Sequence, residues 1–108
     1  MHTKGREGVR VDRALGLVRR DIYGGGVDLH RLAERHGYRV VWTVRLDTAP
    51  LASGLIVASA ITEHNVSAVV VPTFEHADSV RHIVTDLAAL VTPMCHYPRG
   101  YRWSVIEL

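Results

Sequence analysis

The apolar residues at the start of the chain recur at helical intervals. Residues 10–23 carry these apolar positions with arginines between them, which predicts an amphipathic helix. The apolar positions are Val11, Ala14, Leu15, Val18 and Ile22. The glycines at 24–26 end this segment, because residues without Cβ give the backbone maximal freedom. A second, short helix is predicted from Leu29 to His36, with Asp28 as its N-cap and Gly37 after its end.

Two later segments are rich in residues that favour β-strands. The first is residues 39–46, and the second is residues 67–71, which Pro72 ends. Their nearly continuous apolar runs are typical of strands covered on both faces. Helices are predicted after each strand, over residues 51–64 and 77–90. The side chains expected in the core are Val40, Trp42, Val44, Val69 and Val71.

The alternation of strand and helix predicts an α/β fold, a small three-layer domain with a mainly parallel sheet. Short strands near residues 90–92 and over 102–106 would complete the sheet. Residues 1–9 are polar and interrupted by glycine, so we expect a flexible tail followed by a single domain over residues 10–108. A length of 108 residues suits one domain with one modest core.

The composition of the chain bears on where in the cell the protein is expected. The hydrophobic share of 47% and the charged share of 22% are those of an ordinary globular protein. Cys95 is the single cysteine, and the N-terminal residues lack the order of a secretory signal. No apolar run approaches the roughly 18 residues of a membrane span. We therefore expect a soluble, cytoplasmic protein with no membrane partner.

The positive charge of the chain is concentrated in its first half. Residues 1–46 carry ten Lys or Arg against five acids, whereas residues 47–108 carry three against six. Arginine-rich surfaces favour contacts with phosphate. On the predicted N-terminal helix, Arg10, Arg13 and Arg20 would share one side and are candidate nucleic-acid contacts. The alternative is a solvated helix face that binds nothing.

The segment "HYPRGYRW", residues 96–103, is the densest aromatic and basic stretch of the chain. Its candidate binding residues are Arg99, Tyr101 and Arg102. Three interpretations stay open: aromatic rings that cover the core, a protein interface, or a base-stacking surface. A strand at the edge of the sheet would also offer unpaired backbone groups to a second copy. A homodimer or a complex with a partner protein is therefore expected.

The stretch "DTAPLASGL", residues 47–55, follows the first of the two predicted strands. Asp47 would lie at the carboxyl edge of the sheet, where open α/β sheets hold their ligands. Ser53 would lie at the start of a helix, where capping or first-turn structure is favoured over a role as nucleophile. Together with Glu75 and His76, these residues form a candidate ligand edge.

No metal site or cofactor is predicted. His76 and His82 are six residues apart and so do not share a helical face as ligands at i and i+4 would. Cys95 and His96 are predicted in a loop between Pro93 and Pro98, and no paired Cys or His spacing recurs.

The order of these segments resembles the catalytic domain of the serine recombinases, the resolvase and invertase family. The resemblance rests on "LAERHGYRVV", then Asp47, then Ser53-Gly54 before a helix, then "SAVVVPTFEHA", and it covers roughly residues 28–92. It implies a resolvase-like α/β fold in truncated form.

The chain differs from that family at the residues on which the family's reaction depends. The family has a nucleophilic serine at the end of its first strand, whereas this chain has no serine before Ser53 and a predicted helix upstream of Leu29. The family's Asp-Arg-Leu-x-Arg motif is replaced by residues 75–79, Glu-His-Ala-Asp-Ser, so both arginines are missing. We therefore expect no catalysis, and predict a module that acts by protein or self-association, with weak nucleic-acid binding as a further candidate activity. The alternative is a minimal phosphoryl-transfer or small-molecule enzyme that uses the edge around Asp47, Ser53 and Glu75.

Overall fold

The computed structural model describes residues 11–47 and 50–104. The described strands are β1 (Asp12–Arg19), β2 (Tyr38–Leu46), β3 (Ala68–Val70), β4 (Ala89–Val91) and β5 (His96–Tyr97). The described α-helices are α1 (Leu29–Arg35), α2 (Pro50–Glu63) and α3 (Arg81–Leu87), and short 3₁₀ helices at Phe74–His76 and Asp78–Val80 precede α3. The predicted tail, residues 1–9, lies outside the described residues.

The strands form one mixed sheet in the order β2-β1-β3-β4-β5. β1 pairs in parallel with β2 on one side and with β3 on the other, and β3 pairs in parallel with β4. β5 is antiparallel to β4. The mainly parallel sheet predicted from the sequence is therefore confirmed. β2 and β3 run in the same direction but do not pair with each other, because β1 lies between them.

The predicted helix over residues 10–23 is wrong, because residues 12–19 form the strand β1. Leu15 and Leu17 are fully buried on one face of the sheet, and Ala14 is fully buried on the other. An unbroken apolar run suits a strand covered on both faces, and its apolar positions happen to match helical spacing as well. The sheet therefore has a first strand upstream of α1.

Helices cover both faces of the sheet. Leu32 and Ala33 of α1 pack on the face that contains Ala14, Val40 and Val70. α2 and α3 cover the opposite face and form the larger core. That core includes Leu15, Leu17, Val57, Ile61, Val69, Val84 and Leu90. The three-layer α/β arrangement predicted from the sequence is confirmed.

Trp42 is the one wrong assignment among the five predicted core positions. Val40, Val44, Val69 and Val71 are buried, whereas the Trp42 side chain is 55% exposed. β2 is an edge strand, and a β-bulge shifts its register so that Val40 pairs with Ala14 and Trp42 with Leu15. The bulge gives β2 one extra residue, Val41, and leaves Trp42 at the rim of the sheet.

The first helix boundaries agree with the sequence. The Asp28 carboxylate accepts hydrogen bonds from the backbone N–H groups of His30 at 3.1 Å and Arg31 at 3.2 Å, as an N-cap does. Gly37 follows the helix with φ of 83°, a left-handed conformation that glycine adopts without strain. The predicted cap and end of α1 are confirmed.

The C-terminal part of the chain differs from the prediction in two ways. The predicted helix over 77–90 is shorter, since 3₁₀ turns occupy its first residues and α3 begins only at Arg81. The predicted strand over 102–106 is wrong for residues 102–104, which form no strand, and residues 105–106 lie outside the described residues. A turn at Gly100 brings the chain back onto α3 instead, where the Trp103 indole N–H donates to the Thr85 hydroxyl at 2.9 Å.

Within the described ranges, no helix combines the length and the apolar character that crossing a membrane requires.

Candidate functional site

The carboxyl edge of the sheet has a topological switch point between β1 and β3. From β1 the chain passes through α1 to β2 on one side, and it then crosses through α2 to β3 on the other. Open α/β sheets bind ligands in the crevice outside such a point. The residues that follow β1 and β3 at this edge are therefore the first candidates for a functional site.

The side chain of His76 fills this switch point. It is fully buried, and its Nδ1 accepts a hydrogen bond from the backbone N–H of Arg19 at 2.9 Å. Its Nε2 is also buried and has no hydrogen-bond partner among the described residues. His76 therefore joins the turn after β3 to the end of β1, which is a structural role for a residue that the sequence placed on a ligand edge.

The arginines at this edge are paired with acids of the same chain. Arg19 forms a two-point contact with Asp21, with Nη2 to Oδ2 at 2.7 Å and Nε to Oδ1 at 3.2 Å. Arg20 lies 3.4 Å from Oδ2 of Asp47, the residue after β2. Both pairs are at least partly solvated, so each contributes little stability. Their effect is to cancel positive charge where a phosphate would have to bind.

The other two residues of the predicted ligand edge differ in exposure. Ser53 lies in the first turn of α2 and is 4% exposed, on the same helix side as the buried Val57. A nucleophile must reach its substrate, and this burial denies Ser53 that access. Glu75 is exposed in the 3₁₀ turn after β3. The structure thus brings Asp47 to Arg20 and His76 to β1, while Ser53 is buried.

Arg13 and Arg20 do not share a face. Arg13 is near the start of β1, and its Nε donates to the backbone carbonyl of His64 at 2.9 Å. Arg20 follows the end of β1, about 23 Å away at the rise of a strand. Arg10 lies outside the described residues. The phosphate-binding helix face predicted from the sequence is therefore absent for Arg13 and Arg20, because their segment is a strand.

The C-terminal aromatic rings pack mainly against one another. Trp103 lies 4.7 Å from the ring of Tyr97, 4.8 Å from that of Tyr101 and 5.5 Å from that of Phe74, centre to centre. The guanidinium of Arg81 lies 5.5 Å from the centre of the Trp103 ring. Of the candidate binding residues here, Arg99, Tyr101 and Arg102 are all exposed. The rings meet at tilted or edge-to-face angles, and this internal packing takes up ring surface that a base-stacking site would have to expose.

A second group of rings joins β5 to the start of β2. His96 stacks on His36 at 5.7 Å, and the Tyr38 hydroxyl lies 3.4 Å from His96 Nε2. Burial raises the pKa of Tyr38, and the charge of Asp12 raises it further. Among residues 11–47 and 50–104, no three His, Cys, Asp or Glu side chains are arranged to hold a metal ion.

An exposed apolar surface lies between β2 and α2, at the edge of the sheet. It contains Trp42, 55% exposed, together with Leu55 and Ile56 of α2, which are 68% and 41% exposed. These three side chains line a groove, called here the β2–α2 groove. Its other lining residues are Thr43, Val44, Arg45, Ser59, Ala60, Glu63 and His64. Contiguous exposed apolar side chains with a polar rim are typical of protein interaction sites.

The Trp42 side chain of this groove is held by a neighbouring ring. The Trp42 ring stacks on the His64 ring with centres 5.1 Å apart and planes 14° apart. Stacking and the bulge fix the direction of the indole, so the exposed face of the tryptophan needs little ordering on binding. Glu63 adds a negative group to the rim and forms no ion pair with another described residue. Arg45 borders the groove from β2, but its register with Val18 and the pocket that it shares with Asp28 place its side chain on the α1 face of the sheet.

The groove was not predicted from the sequence, because Trp42 was expected in the core. A signal was present in α2, whose sequence PLASGLIVASAITE is apolar on nearly every side. A helix packed on a sheet needs only one apolar stripe, so apolar residues around its whole circumference indicate a second buried surface. The outward positions Leu55 and Ile56 carry that signal.

Neither a scan against protein-family models nor searches of curated proteins and of solved structures found a match to this chain. The structure defines the class of fold. The described residues form an α/β domain with a five-stranded, mostly parallel sheet.

Proposed function

We propose that this chain is a non-catalytic module that acts by associating with protein through the β2–α2 groove. The observation that carries the proposal is the exposed cluster of Trp42, Leu55 and Ile56 beside an edge strand. Tryptophan is enriched at the centres of protein interfaces, where a large rigid ring buries much area at small entropic cost. Leu55 and Ile56 give that ring apolar neighbours on a rigid helix.

The charge distribution supports protein as the partner over nucleic acid. Arg19 and Arg20 are paired with Asp21 and Asp47, and Arg13 is bonded to a carbonyl of its own chain. Phosphate binding depends on clustered, available cations, because each phosphate neutralised releases counterions. Weak nucleic-acid binding through Arg99 and Arg102 remains a secondary proposal, since both are exposed near the C-terminal rings.

The competing proposal is a minimal phosphoryl-transfer or small-molecule enzyme at Asp47, Ser53 and Glu75. The burial of Ser53 and the pairing of Asp47 with Arg20 speak against it. A nucleophile also needs an adjacent base, and the buried His76 is bonded to the backbone of Arg19.

A recombinase-like relationship stays part of the proposal. β1 supplies a strand upstream of α1, where the resembled family has its first strand. The residues that follow β1 are Arg20 and Asp21. The end of this strand therefore has a carboxylate nearby, where the resembled family has a serine hydroxyl. The absence of a serine before Ser53 favours a module of this family's shape that has lost its chemistry.

A photoreactive benzoyl-phenylalanine at position 55 tests the proposal, both in the purified chain and in the organism that encodes it. We expect a covalent adduct of defined mass with a protein chain, lost when Trp42→Ser is added. The same group at Arg31, exposed on α1 across the sheet, is the matched control and should give no such adduct. The absence of any protein adduct at position 55 in both settings would refute the association function.

A further inference from the structure

A cavity of about 360 Å³ opens at the carboxyl edge of the sheet, on the face that α1 covers. Its wall includes Val18 near the end of β1, Gly24 and Gly26 in the loop that follows, and Pro72, two residues after β3. The cavity therefore lies beside the switch point between β1 and β3. Open α/β sheets hold small ligands at such points, and a cavity of this size suits a small molecule.

Arg45 contributes a positive charge to this cavity. Its neighbours Val44 and Leu46 are buried in the core beneath α2, so strand alternation puts Arg45 on the opposite face, where α1 lies. Arg19 and Arg20 at this edge are in ion pairs, whereas Arg45 forms none with a described residue. Its guanidinium is therefore available to an anionic group of a ligand.

Asp28 contributes a carboxylate to the same cavity. The two backbone N–H groups that it caps both donate to Oδ1, so its second oxygen, Oδ2, is not used by the cap. Asp28 and Arg45 form no ion pair with each other. His30 adds an imidazole to the wall, which can donate to or accept from a ligand. The cavity thus presents one positive and one negative group from different elements.

We infer that this cavity binds a small apolar α-amino acid. Such a molecule carries a carboxylate and an ammonium group on one carbon, so it can bind Arg45 and Asp28 at the same time. Each contact would be a charge-assisted hydrogen bond of about 2.8 Å. A ligand with a single charge would be attracted by one of these groups and repelled by the other. The inference does not depend on what occupies the β2–α2 groove, because the two sites use opposite faces of the sheet.

The remaining wall favours an aliphatic side chain on the ligand. Val27 and Leu29 are half-buried, and Pro72 beside them is buried. Covering half-buried apolar groups removes them from water, which favours a hydrocarbon side chain over a polar one. The Thr43 hydroxyl, on the same strand face as Arg45, offers a further donor to the ligand carboxylate.

Paired changes to the protein and the ligand test this assignment. Isothermal titration calorimetry should detect binding of L-leucine to the wild-type chain. Arg45→Gln and Asp28→Asn should each bind L-leucine at least about tenfold more weakly, since each loses a hydrogen bond between charged groups. Asparagine at position 28 keeps an acceptor oxygen for the N–H groups of His30 and Arg31, so α1 keeps its cap.

Two leucine analogues test each charge separately. Isoamylamine is leucine without its carboxylate, and isocaproate is leucine without its ammonium group. Wild type should bind each of them at least about tenfold more weakly than L-leucine. Arg45→Gln should bind isoamylamine no more weakly than wild type does, because the carboxylate that Arg45 recognises is already missing. Asp28→Asn should behave in the same way with isocaproate.

Arg39→Gln and Glu34→Gln are matched controls, since both residues are exposed, on β2 and α1, and neither lines the cavity. Each should bind L-leucine as wild type does, and circular dichroism checks that every variant is folded. No binding of L-leucine to wild type up to its solubility, or unchanged binding by both cavity variants, would overturn the inference. So would isocaproate binding as tightly as L-leucine, which would make the cavity a site for anions. The adduct from position 55 is measured separately, so either proposal can fail without the other.

Discussion

At the scale of single residues, replacing a glycine by alanine is expected to have opposite effects on stability at two positions, Gly16 and Gly54. A Cβ on Gly16 would lie 2.8 Å from the Thr43 hydroxyl and 3.2 Å from Leu29, inside the layer between β1, β2 and α1. Thr43 is β-branched and cannot easily rotate away. We expect Gly16→Ala to lower the free energy of unfolding by about 1–2 kcal/mol. The cost of overpacking exceeds the stabilisation that comes from restricting the unfolded chain when a glycine is replaced. Urea titration measures the change.

Gly54→Ala is the comparison. The added Cβ would meet only the terminal Cδ1 of Ile83, at 2.7 Å, and that side chain is 37% exposed and free to shift. Alanine is favoured over glycine in helices by about 1 kcal/mol, so Gly54→Ala should be neutral or stabilising. Thr43→Ala added to Gly16→Ala should recover part of the loss, and strict additivity of the two changes would contradict the proposed clash.

Tyr38 predicts a loss of stability at alkaline pH. Its pKa is raised above 10.0, first by burial and then by the charge of Asp12, so the folded chain holds the phenolic proton more tightly than the unfolded chain. The stabilisation is complete below the unfolded pKa and is lost as pH rises through the folded one. Thermal melts above pH 9 should fall less steeply for Tyr38→Phe than for wild type.

Tyr23→Phe is the control for this titration, because Tyr23 is 86% exposed. Some alkaline loss should remain in Tyr38→Phe, since the pKa of Tyr97 is also raised, chiefly by its hydrogen bond with Cys95. Identical alkaline profiles for wild type and Tyr38→Phe would show that burial of Tyr38 is not linked to folding.

At the scale of helices and strands, an element was predictable where its sequence pattern fits only one kind of structure. α1 was predicted correctly because Asp28 and Gly37 mark its ends by specific hydrogen bonding and a left-handed backbone. β1 was predicted as a helix because an apolar run buried on both faces has no period of its own. Only the tertiary structure decides between a helix and a strand here. β1 is a strand because a strand pairs with it on each side and helices cover both faces of the sheet.

The cap of α1 gives a prediction at this scale. Asp28→Ala removes the acceptor for the backbone N–H groups of His30 and Arg31, and should cost about 1 kcal/mol of stability. Asp28→Asn keeps an acceptor oxygen and should cost only a few tenths of that loss. Equal losses for the two variants in chemical unfolding would show that the negative charge, rather than the hydrogen bonds, is what stabilises the helix.

The candidate sites were less predictable than the fold, again for physical reasons. The position of Asp47 at the carboxyl edge followed from the end of its strand, and this was found. The burial of His76 depends on Arg19, 57 positions earlier in the chain, and local spacing carries no information about that contact. The β2–α2 groove depends on β2 being an edge strand, which requires knowing that β1 takes the central place.

At the scale of the whole molecule, we expect the internal pairing of arginines to limit binding to DNA. We expect a dissociation constant for duplex DNA weaker than about 10⁻⁴ M at physiological salt, which is at or below the weak end of the ordinary non-specific range. Alanine at Arg10, Arg13 and Arg20 should change the slope of log affinity against log salt by less than about one unit, because Arg13 and Arg20 are bonded within the chain and lie far apart. Fluorescence anisotropy at two salt concentrations measures both quantities.

The arginines near the end of β1 are paired within the chain, and no serine precedes Ser53. We therefore expect that the protein neither cuts supercoiled plasmid nor forms a covalent bond with it. Incubation with plasmid followed by denaturing electrophoresis tests this expectation. A covalent protein–DNA species that Ser53→Ala abolishes would contradict it, and would require the buried Ser53 side chain to become accessible.

The extra residue in β2 also bears on solubility at high concentration. A long, regular edge strand is a template on which identical chains stack into fibrils, and an irregular one interrupts that growth. Deleting Val41 would restore strict alternation, since Val40 and Trp42 already pair with the consecutive residues Ala14 and Leu15. The shortened chain would keep its other strand pairings but present a straight edge, and would be expected to form thioflavin-binding aggregates under conditions where the natural chain stays clear. One inserted valine would thereby separate a chain that stays dispersed from one that adds to a fibril without limit.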